Sequence, residues 1–411
     1  MEKYGLGLDI GTTSVQARLV NLETGEIIDE IYALNSQRSF GADVMSRIGA
    51  ARDGKTGELF TAINNQTEGI LRHFIEKYRL SKIEKCNVSG NTAMMHLFCG
   101  INPGAMGEAP YTPVFLEEQY FSGKELNLSA EHILLLPGIS AFVGADIAAG
   151  LAYSSIFEKN ESCLFTDIGT NGEVVVWKKN GRRLFCSSTA AGPCFEGAEI
   201  SRGMIAQAGA INRISLNKDE SANWFTYNLP ALPNKEQSPL YYTTVENEKA
   251  LGICGAGLID AIALMKKLGV IEESGAFADS YAQTDFPVTD GIGINQKDVR
   301  LFQLAKSAIY SGITVLCKSA GLTPSALDKA YIAGGLGFYI NLENAAYTGL
   351  LPSEIISKAE VSGNTSLKGA VLSLTDESFL HRCREIIARS TVVDLAVDKE
   401  FADAFADNMV I

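Results

Sequence analysis

One short sequence, Asp-Ile-Gly-Thr, occurs twice in this chain and constrains its fold more than any other feature. It stands at residues 9–12 and again at 167–170. In each copy an apolar run leads into it, and an alternating run, a glycine turn and a further alternating run follow. Period-two alternation is typical of β-strands. The repeated order of strand, corner, strand, turn and strand predicts a duplicated α/β fold with two similar lobes.

The first corner joins a strand to a strand, and this decides which kind of phosphate site it can form. A P-loop or a dinucleotide fingerprint places its glycines between a strand and a helix, and no helix follows here. A tight corner can still hold phosphate, because Gly11 lets the backbone approach and Thr12 and Thr13 add hydroxyl groups. Asp9 would repel phosphate, so its natural partner is a hydrated Mg²⁺ ion bound to that phosphate. The alternative is an ordinary hairpin whose polar residues satisfy the turn.

The second corner argues against that alternative. Asp167, Gly169, Thr170 and Asn171 repeat the chemistry of the first corner. In a duplicated fold, we expect the two corners to face each other across a cleft and to hold one polyphosphate from both sides. Asp9 and Asp167 would then hold Mg²⁺ through water.

Asp146 lies at the start of a small-residue helix, shortly before the second corner. A capping role at the helix start explains an aspartate there. A catalytic role is also open, in which the carboxylate orients the water or hydroxyl that attacks the γ-phosphate.

A glycine corner, Gly334-Gly335-Leu336-Gly337, follows a predicted strand at residues 328–333 and precedes a predicted helix at 342–348. Glycines between a strand and a helix suit the close approach of a nucleoside. Two further regions carry expectations about local structure. Residues 38–58 are polar and glycine-rich, which predicts a long loop, and residues 217–249 predict a surface hairpin insertion.

Composition limits the class of protein. The 411 residues are enough for two lobes, which we place at 1–158 and 159–411, with the last helix free to pack back on the first lobe. The net charge of −13 and the absence of a basic run argue against nucleic acid as a partner. No apolar run is long enough to span a membrane, so we expect a cytoplasmic protein.

The eight cysteines do not show the spacing of a metal or cluster motif. No pair has the two-residue gap of a zinc knuckle or an iron–sulfur site. Most stand in apolar runs, which predicts buried free thiols in a reduced compartment.

The ordered set of motifs resembles the superfamily of actin, Hsp70-type chaperones, and acetate and sugar kinases. In that superfamily, residues 9–13, Asp146, residues 167–171 and residues 334–337 match the phosphate 1, connect 1, phosphate 2 and adenosine segments. The resemblance implies two ribonuclease-H-like lobes with Mg-ATP between them. It also implies that Asp146 positions the attacking water.

A closer resemblance is to the ATPase region of the reductive activators of corrinoid proteins. The matching segments are Ser-Gly-Asn-Thr at 89–92, Ala-Pro-Tyr-Thr-Pro at 109–113, Ala-Gly-Pro-Cys-Phe-Glu-Gly-Ala at 191–198, Gly-Ala-Gly-Leu-Ile-Asp at 255–260 and Gly-Leu-Leu-Pro at 349–352. Those activators use ATP to drive an electron uphill, which returns an inactive cob(II)alamin protein to the cob(I)alamin state. The resemblance therefore implies ATP, Mg²⁺ and a corrinoid protein as client.

The sequence departs from that family in one respect. Full-length activators carry an N-terminal ferredoxin-like domain with a [2Fe-2S] cluster, whereas this sequence begins almost at the first strand. We therefore expect no iron–sulfur cluster in this chain and a separate ferredoxin-type protein as electron donor. The roles of Glu196, Glu199 and the 217–249 insertion, and a homodimeric state, are left open.

Two other functions stay open at this point. A small-molecule kinase of the same fold would need an acceptor pocket, which residues 101–130 could supply. The other is a non-catalytic, ATP-dependent assembly protein, either actin-like or chaperone-like.

Overall fold

The computed structural model describes residues 2–219, 222–229, 239–281 and 285–411. Strands and α-helices alternate along these residues. The strands are β1 Tyr4–Ile10, β2 Ser14–Asn21, β3 Ile27–Leu34, β4 Ile83–Gly90, β5 Gln119–Ser122, β6 Ala130–Leu135, β7 Cys163–Ile168, β8 Gly172–Lys178, β9 Arg183–Thr189, β10 Ala210–Ser215, β11 Phe225–Asn228, β12 Pro239–Thr244, β13 Gly252–Ile253, β14 Phe286–Thr289, β15 Ile292–Ile294, β16 Lys329–Ala333, β17 Ala359–Gly363 and β18 Ser390–Val392. The α-helices are α1 Val44–Ala50, α2 Thr56–Tyr78, α3 Thr92–Phe98, α4 Gly123–Leu126, α5 Ala145–Ser154, α6 Gly255–Leu268, α7 Gln296–Ser319, α8 Leu342–Tyr347, α9 Thr365–Leu372, α10 Phe379–Arg389 and α11 Lys399–Asp407.

The chain forms two compact units. The first contains Met1–Asn160, Lys179–Cys186 and Asn364–Val392, and the second contains Glu161–Lys178, Ser187–Gly363 and Val393–Ile411. The predicted boundary at residues 158 and 159 lies close to the first of these breaks. The structure adds two later segments to the first unit, so the chain returns to that unit late in the sequence.

The sheet of the first unit has the strand order β3-β2-β1-β4-β6-β5. β1 runs antiparallel to β2 and parallel to β4. One face of β1 carries Leu6, Leu8 and Ile10, all fully buried. The other face carries glycine: a Cβ atom on Gly7 would lie 2.6 Å from the Val371 side chain of α9. The small residues of β1 therefore let α9 pack directly on the strand.

Residues 38–58 are mostly helical, so the prediction of a long loop there is wrong. Helix α1 begins with a capping box formed by Asp43 and Ser46. The chain then passes through Ala51–Lys55 into α2, with Gly54 in the left-handed region at φ 90°. The glycines and polar residues mark an interruption between two helices, because glycine tolerates positive φ.

The second unit contains a sheet with the neighbouring strands β17-β16-β7-β8. β16 runs parallel to both β17 and β7, and β7 runs antiparallel to β8. A second sheet of this unit has the order β11-β12-β10-β13. β9 begins in the first unit, where its residues 184–186 pair in parallel with β18.

The last helix, which the sequence leaves free to pack back on the first lobe, lies in the second unit. α11 packs against α7, where the hydroxyl of Ser307 donates to the carbonyl of Phe405 at 2.5 Å. Gln303 of α7 likewise donates to the carbonyl of Met409 at 2.5 Å. Buried polar groups of α7 thus satisfy carbonyls at the end of α11. The preceding helix, α10, packs on α5 in the first unit.

The predicted insertion at 217–249 is partly described. β11 and β12 form an antiparallel pair within it, with Phe225 opposite Tyr242. Residues 220–221 and 230–238 of this prediction lie outside the described residues.

The cysteines are free, as predicted from the sequence, and all eight stand in described segments. Cys99 is half-buried and the others are buried. Burial raises the pKa of Cys86 and of Cys317 to about 12, so these thiols are protonated and unreactive at neutral pH. Among the described residues, no helix combines the length and apolar character needed to cross a bilayer.

Candidate functional site

The first corner connects β1 to β2 through a tight backbone turn. The Gly11 amide donates to the carbonyl of Ser14 at 2.9 Å. Asn35 fixes the turn from the side, with its side chain donating to the Gly11 carbonyl at 2.7 Å and its own amide donating to the Thr13 carbonyl at 2.9 Å. Carbonyl oxygens of the turn are therefore bound within the protein, which removes them as repulsive neighbours of an anion.

Arg47 supports the same corner and was not found by sequence reasoning. This fully buried side chain donates from Nη2 to the Thr12 carbonyl at 2.5 Å and from Nε to the Gly41 carbonyl at 3.0 Å. A buried guanidinium close to the corner also adds positive charge where an anion would bind. The sequence predicts a loop at 38–58, so Arg47 is not assigned to a helix there. The Asp43–Ser46 capping box is nevertheless a detectable sign of the helix that carries Arg47.

Asn91 sets the orientation of the Thr12 hydroxyl. Its Nδ2 group donates to Thr12 Oγ1 at 3.1 Å, and its Oδ1 atom caps α3 by accepting from the Met94 amide at 3.0 Å. Since Thr12 Oγ1 accepts in this bond, the hydroxyl hydrogen is left to donate in another direction. A phosphate oxygen is a suitable acceptor.

Asp9 accepts two hydrogen bonds from a distant part of the chain. Asn364 Nδ2 donates to Oδ2 at 2.7 Å, and the Ser366 hydroxyl donates to Oδ1 at 2.7 Å. Burial raises the pKa of Asp9, and these two bonds partly offset that effect by stabilising the carboxylate. Each oxygen keeps lone-pair capacity for a further donor, such as water on a metal ion.

A sequence signal for Asn364 does exist. The pentapeptide Val-Ser-Gly-Asn-Thr occurs at 88–92 and again at 361–365. In both places a strand ends at the glycine, and the asparagine caps the following helix, α3 or α9. Asn91 then reaches Thr12 and Asn364 reaches Asp9, so the same motif supports the same corner twice.

Asp146 is the second residue of α5, and the N-cap position belongs to Gly144. Its Oδ1 atom accepts from the Ile147 amide at 2.9 Å. Burial, together with the negative charge of Asp9, raises the pKa of Asp146 to about 7. The structure therefore brings Asp9 and Asp146 into one electrostatic environment, and a carboxyl with a pKa near neutrality suits a general base.

The second corner is one residue tighter than the first, because its glycine amide bonds two residues ahead instead of three. The Gly169 amide donates to the carbonyl of Asn171 at 3.0 Å. A Cβ atom on Gly169 would meet nothing closer than 3.8 Å, so there is room on this side of the corner. Thr170 is buried, and its hydroxyl donates to the carboxylate of Glu196.

The predicted nucleoside corner lies beside the second corner. Ala333 of β16 pairs with Asp167 of β7, so both strands end at the same edge of the sheet. Gly334 follows with φ 92°, and a Cβ atom there would lie 2.6 Å from Asp167 Oδ1. Only glycine allows this approach. Gly335 and Gly337 continue in a 3-10 helix, and the space around Gly335 is open within 4 Å of a Cβ position.

The predicted residues thus form two groups. Asp9, Gly11, Thr12, Thr13 and Asp146 belong to the first unit. The others belong to the second unit: Asp167, Gly169, Thr170, Asn171, Gly334, Gly335 and Gly337. That both groups act on one nucleotide stays a prediction.

Comparison with known proteins identifies the family. The family described as "C-terminal domain of RACo the ASKHA domain" matches residues 161–411, and the family "RACo middle region" matches residues 4–159. This chain belongs to the RACo family. The predicted fold class, that of the actin, Hsp70 and sugar kinase superfamily, is thereby confirmed.

Two curated relatives match nearly the whole chain. The corrinoid activation enzyme RamQ of Eubacterium limosum is 30% identical and is covered over 71% of its length by 99% of this chain. The [Co(II) methylated amine-specific corrinoid protein] reductase of Methanosarcina barkeri is 31% identical. The match covers 94% of this chain and 73% of the length of that protein. The solved structure of a reductive activator for corrinoid, iron–sulfur protein superposes with a TM-score of 0.87 and 32% identity. The match covers all of this chain and 66% of that one.

The corner residues fit a magnesium-bound nucleotide on chemical grounds. Mg²⁺ prefers oxygen ligands and keeps several of its waters, and each corner presents one aspartate followed by small and hydroxyl residues. The Asp9 oxygens retain capacity after their two internal bonds. Glycine at 334 leaves the backbone beside Asp167 uncovered by a side chain.

Proposed function

We propose that this chain binds and hydrolyses ATP and uses that cycle to activate a corrinoid protein reductively. The observation that carries the proposal is the match of nearly the entire chain to proteins named for corrinoid activation and reduction, at 30–32% identity. The two supported phosphate corners add the chemistry that such a cycle needs. The first corner is held by residues outside the repeated motif, namely Arg47, Asn364 and Ser366. At the second corner, the Thr170 hydroxyl donates to Glu196.

Residues of both corners would share the binding of Mg-ATP. Asp9 and Asp167 would hold Mg²⁺ through its waters. Gly334, Gly335 and Gly337 would admit the adenosine. The β- and γ-phosphates would contact backbone amides and hydroxyls of Gly11, Thr12, Thr13, Gly169, Thr170 and Asn171.

Asp146 would orient the attacking water and accept its proton. Burial and the Asp9 charge raise its pKa towards the range in which a carboxylate can accept a proton at neutral pH. The Asp146 carboxylate also accepts a hydrogen bond from the Ile147 amide, and this bond holds the carboxylate in one orientation.

A separate ferredoxin-type iron–sulfur protein would lose one electron, and the client's cob(II)alamin would gain it to become cob(I)alamin. Binding and hydrolysis of ATP to ADP and phosphate would favour a client conformation in which the cobalt is easier to reduce.

The first test is phosphate release from Mg-ATP by the purified chain, with and without a corrinoid protein that carries cob(II)alamin. We expect slow release that the corrinoid protein changes several-fold. Release that ignores this partner would contradict the activator role while leaving the nucleotide site in place. A screen of sugars and acids for ATP-dependent phosphorylation would then test the kinase alternative.

Asp167→Ala tests the site itself. Removing this carboxylate takes away one of the two groups proposed to hold Mg²⁺ through its waters, so we expect hydrolysis to fall by at least about a hundredfold while the melting temperature changes little. Asp290→Ala, an exposed aspartate in the turn before β15, is the matched control and should keep full activity. Full activity of Asp167→Ala would contradict the assignment of the second corner.

A further inference from the structure

Glu196 is a carboxylate on a firmly held segment beside the second phosphate corner. It ends the 3-10 helix Pro193–Glu196, which packs against both α6 and α7. The preceding Phe195 is buried and meets the ring of Phe302 edge-on, with ring centroids 5.9 Å apart. On the α6 side, a Cβ atom on Gly255 would lie only 2.2 Å from the Phe195 carbonyl oxygen.

The residue after Glu196 is fixed as well. Gly197 has φ 77°, and a Cβ atom there would lie 2.3 Å from the Met204 amide nitrogen. Its own amide donates to the Cys194 carbonyl at 3.0 Å. Because the backbone on both sides is packed this closely, the Glu196 carboxylate is presented from a rigid support.

The contact between Glu196 and Thr170 has a chemical consequence. The Thr170 hydroxyl donates its one hydrogen to the Glu196 carboxylate. Fully ionised phosphate oxygens accept hydrogen bonds and do not donate them. Thr170 can therefore donate to a phosphate oxygen only by giving up its hydrogen bond to Glu196.

We propose that Glu196 is a positioning residue that makes the second corner select magnesium-loaded ATP over free ATP. This inference rests on the proposed nucleotide function. A bare polyphosphate would compete with Glu196 for the Thr170 hydrogen and would also be repelled by the carboxylate charge. The water ligands of a magnesium ion can donate to Glu196, and the ion's charge offsets the repulsion.

Glu199 provides the matched control on the same loop. Its side chain is exposed, and it carries a carboxylate three residues from Glu196. If only the overall charge of the loop mattered, Glu199→Gln and Glu196→Gln would have similar effects.

The test is equilibrium binding of ATP to the full chain by calorimetry, once with excess Mg²⁺ and once with EDTA. The measured quantity is the ratio of the Kd for free ATP to the Kd for Mg-ATP. We expect Glu196→Gln to lower this ratio about tenfold, mainly by tightening the binding of free ATP, because one nearby negative charge is removed. Glu196→Ala should act in the same direction. Glu196→Asp, which keeps the charge, and Glu199→Gln should retain the wild-type ratio.

Two failures are distinguishable. Wild-type protein that binds ATP under neither condition would overturn the proposed nucleotide site, and the inference with it. Wild-type binding with the same ratio in Glu196→Gln and Glu196→Ala would overturn the inference alone. A ratio that falls equally in Glu199→Gln would also overturn it, since the effect would then be one of loop charge. Melting curves of each variant establish that it is folded.

Discussion

Asp9 shows how a single carboxylate of the site depends on the whole first unit. Its Asn364 donor lies 355 residues away in the chain, and Ser366 follows on the same helix. Burial alone would favour the protonated acid, which is a poor partner for a hydrated cation. The two donors from α9 work against this and hold both oxygens in place.

Asp260 is a second buried carboxylate, and it serves the structure of the second unit. It is 3% exposed and lies on α6. Its oxygens accept from the Ile214 amide at 3.0 Å and from Asn344 Nδ2 at 2.7 Å. Burial nevertheless raises its pKa to about 6.

The raised pKa of Asp260 predicts a pH dependence of stability. Between the unfolded value near pH 4 and the folded value of about 6, the folded protein holds a proton that the unfolded chain has lost. The contribution of Asp260 is thus fully present below about pH 4 and is lost as the pH rises through 6. Asp260→Asn lacks this titration. We therefore expect the free energy of unfolding of the wild type, relative to Asp260→Asn, to fall by about 2–3 kcal/mol from pH 4 to pH 7.

Urea denaturation of both proteins at several pH values measures that difference. Asp290→Asn, at an exposed position, is the control and should show no such change. A constant difference between the wild type and Asp260→Asn across the range would contradict the prediction.

At the scale of elements, the packing of α9 on α5 positions the first corner and Asp146 together. α9 carries the Asp9 donors, and α5 carries Asp146. The two helices approach closely because Gly369 faces the other backbone: a Cβ atom there would lie 2.6 Å from the Ala149 carbonyl oxygen. A displacement of either helix would therefore change the spacing of the two carboxylates.

Two glycine-to-alanine substitutions should have opposite effects. Gly369→Ala would force α9 and α5 apart, and we expect it to lower the free energy of unfolding by about 1–3 kcal/mol and to reduce ATP hydrolysis. Gly69→Ala is the control, because Gly69 lies within α2 with nothing within 4 Å of its Cβ position. It should raise stability by about 0.5–1 kcal/mol, since alanine loses less backbone entropy in a helix.

Thermal or urea denaturation of the two variants, with phosphate release measured in parallel, checks this pair. Similar stabilities for Gly369→Ala and Gly69→Ala would contradict the view that the contact of α9 with α5 is tight.

At the scale of the whole molecule, the prediction is that the corners of the two units act on one nucleotide. Asp9 and Asp167 are equivalent in sequence and belong to different units. If both hold the same Mg-ATP, either one alone supports little hydrolysis. If each aspartate served a separate site, the two substitutions would lower the rate of hydrolysis independently.

A double-mutant cycle with Asp9→Asn and Asp167→Asn separates these cases. We expect each single variant to lose about a hundredfold or more in the rate of phosphate release, and the double variant to be little worse than either, because groups that act as a unit are not additive. Losses that multiply in the double variant, or a single variant that keeps half of the activity, would contradict a shared site.

The family assignment explains why the separate sequence motifs all indicate the same fold class. A corner with Asp, Gly and Thr, a carboxylate at the start of a small-residue helix and a glycine turn after a strand are all local features, and each lies within a few residues of sequence. The structure places Asp146 in the first turn of α5 and Gly334 directly after β16, as those patterns indicate.

What the sequence by itself determined is therefore local. It determined both strand corners at residues 9–13 and 167–171 and the glycine turn at 334–337, because backbone preferences and period-two alternation act over neighbouring residues. Even the Asn364 cap was detectable through its repeated pentapeptide.

What only the tertiary structure decided is which distant groups meet. It decided that Asn364 and Ser366 donate hydrogen bonds to Asp9. It also decided that buried Arg47 donates to the first corner, and that the Thr170 hydroxyl donates to Glu196. No sequence pattern reports such pairs. They form only when helices and strands pack at distances set by small residues, and a hydrogen bond needs its two atoms within about 3 Å.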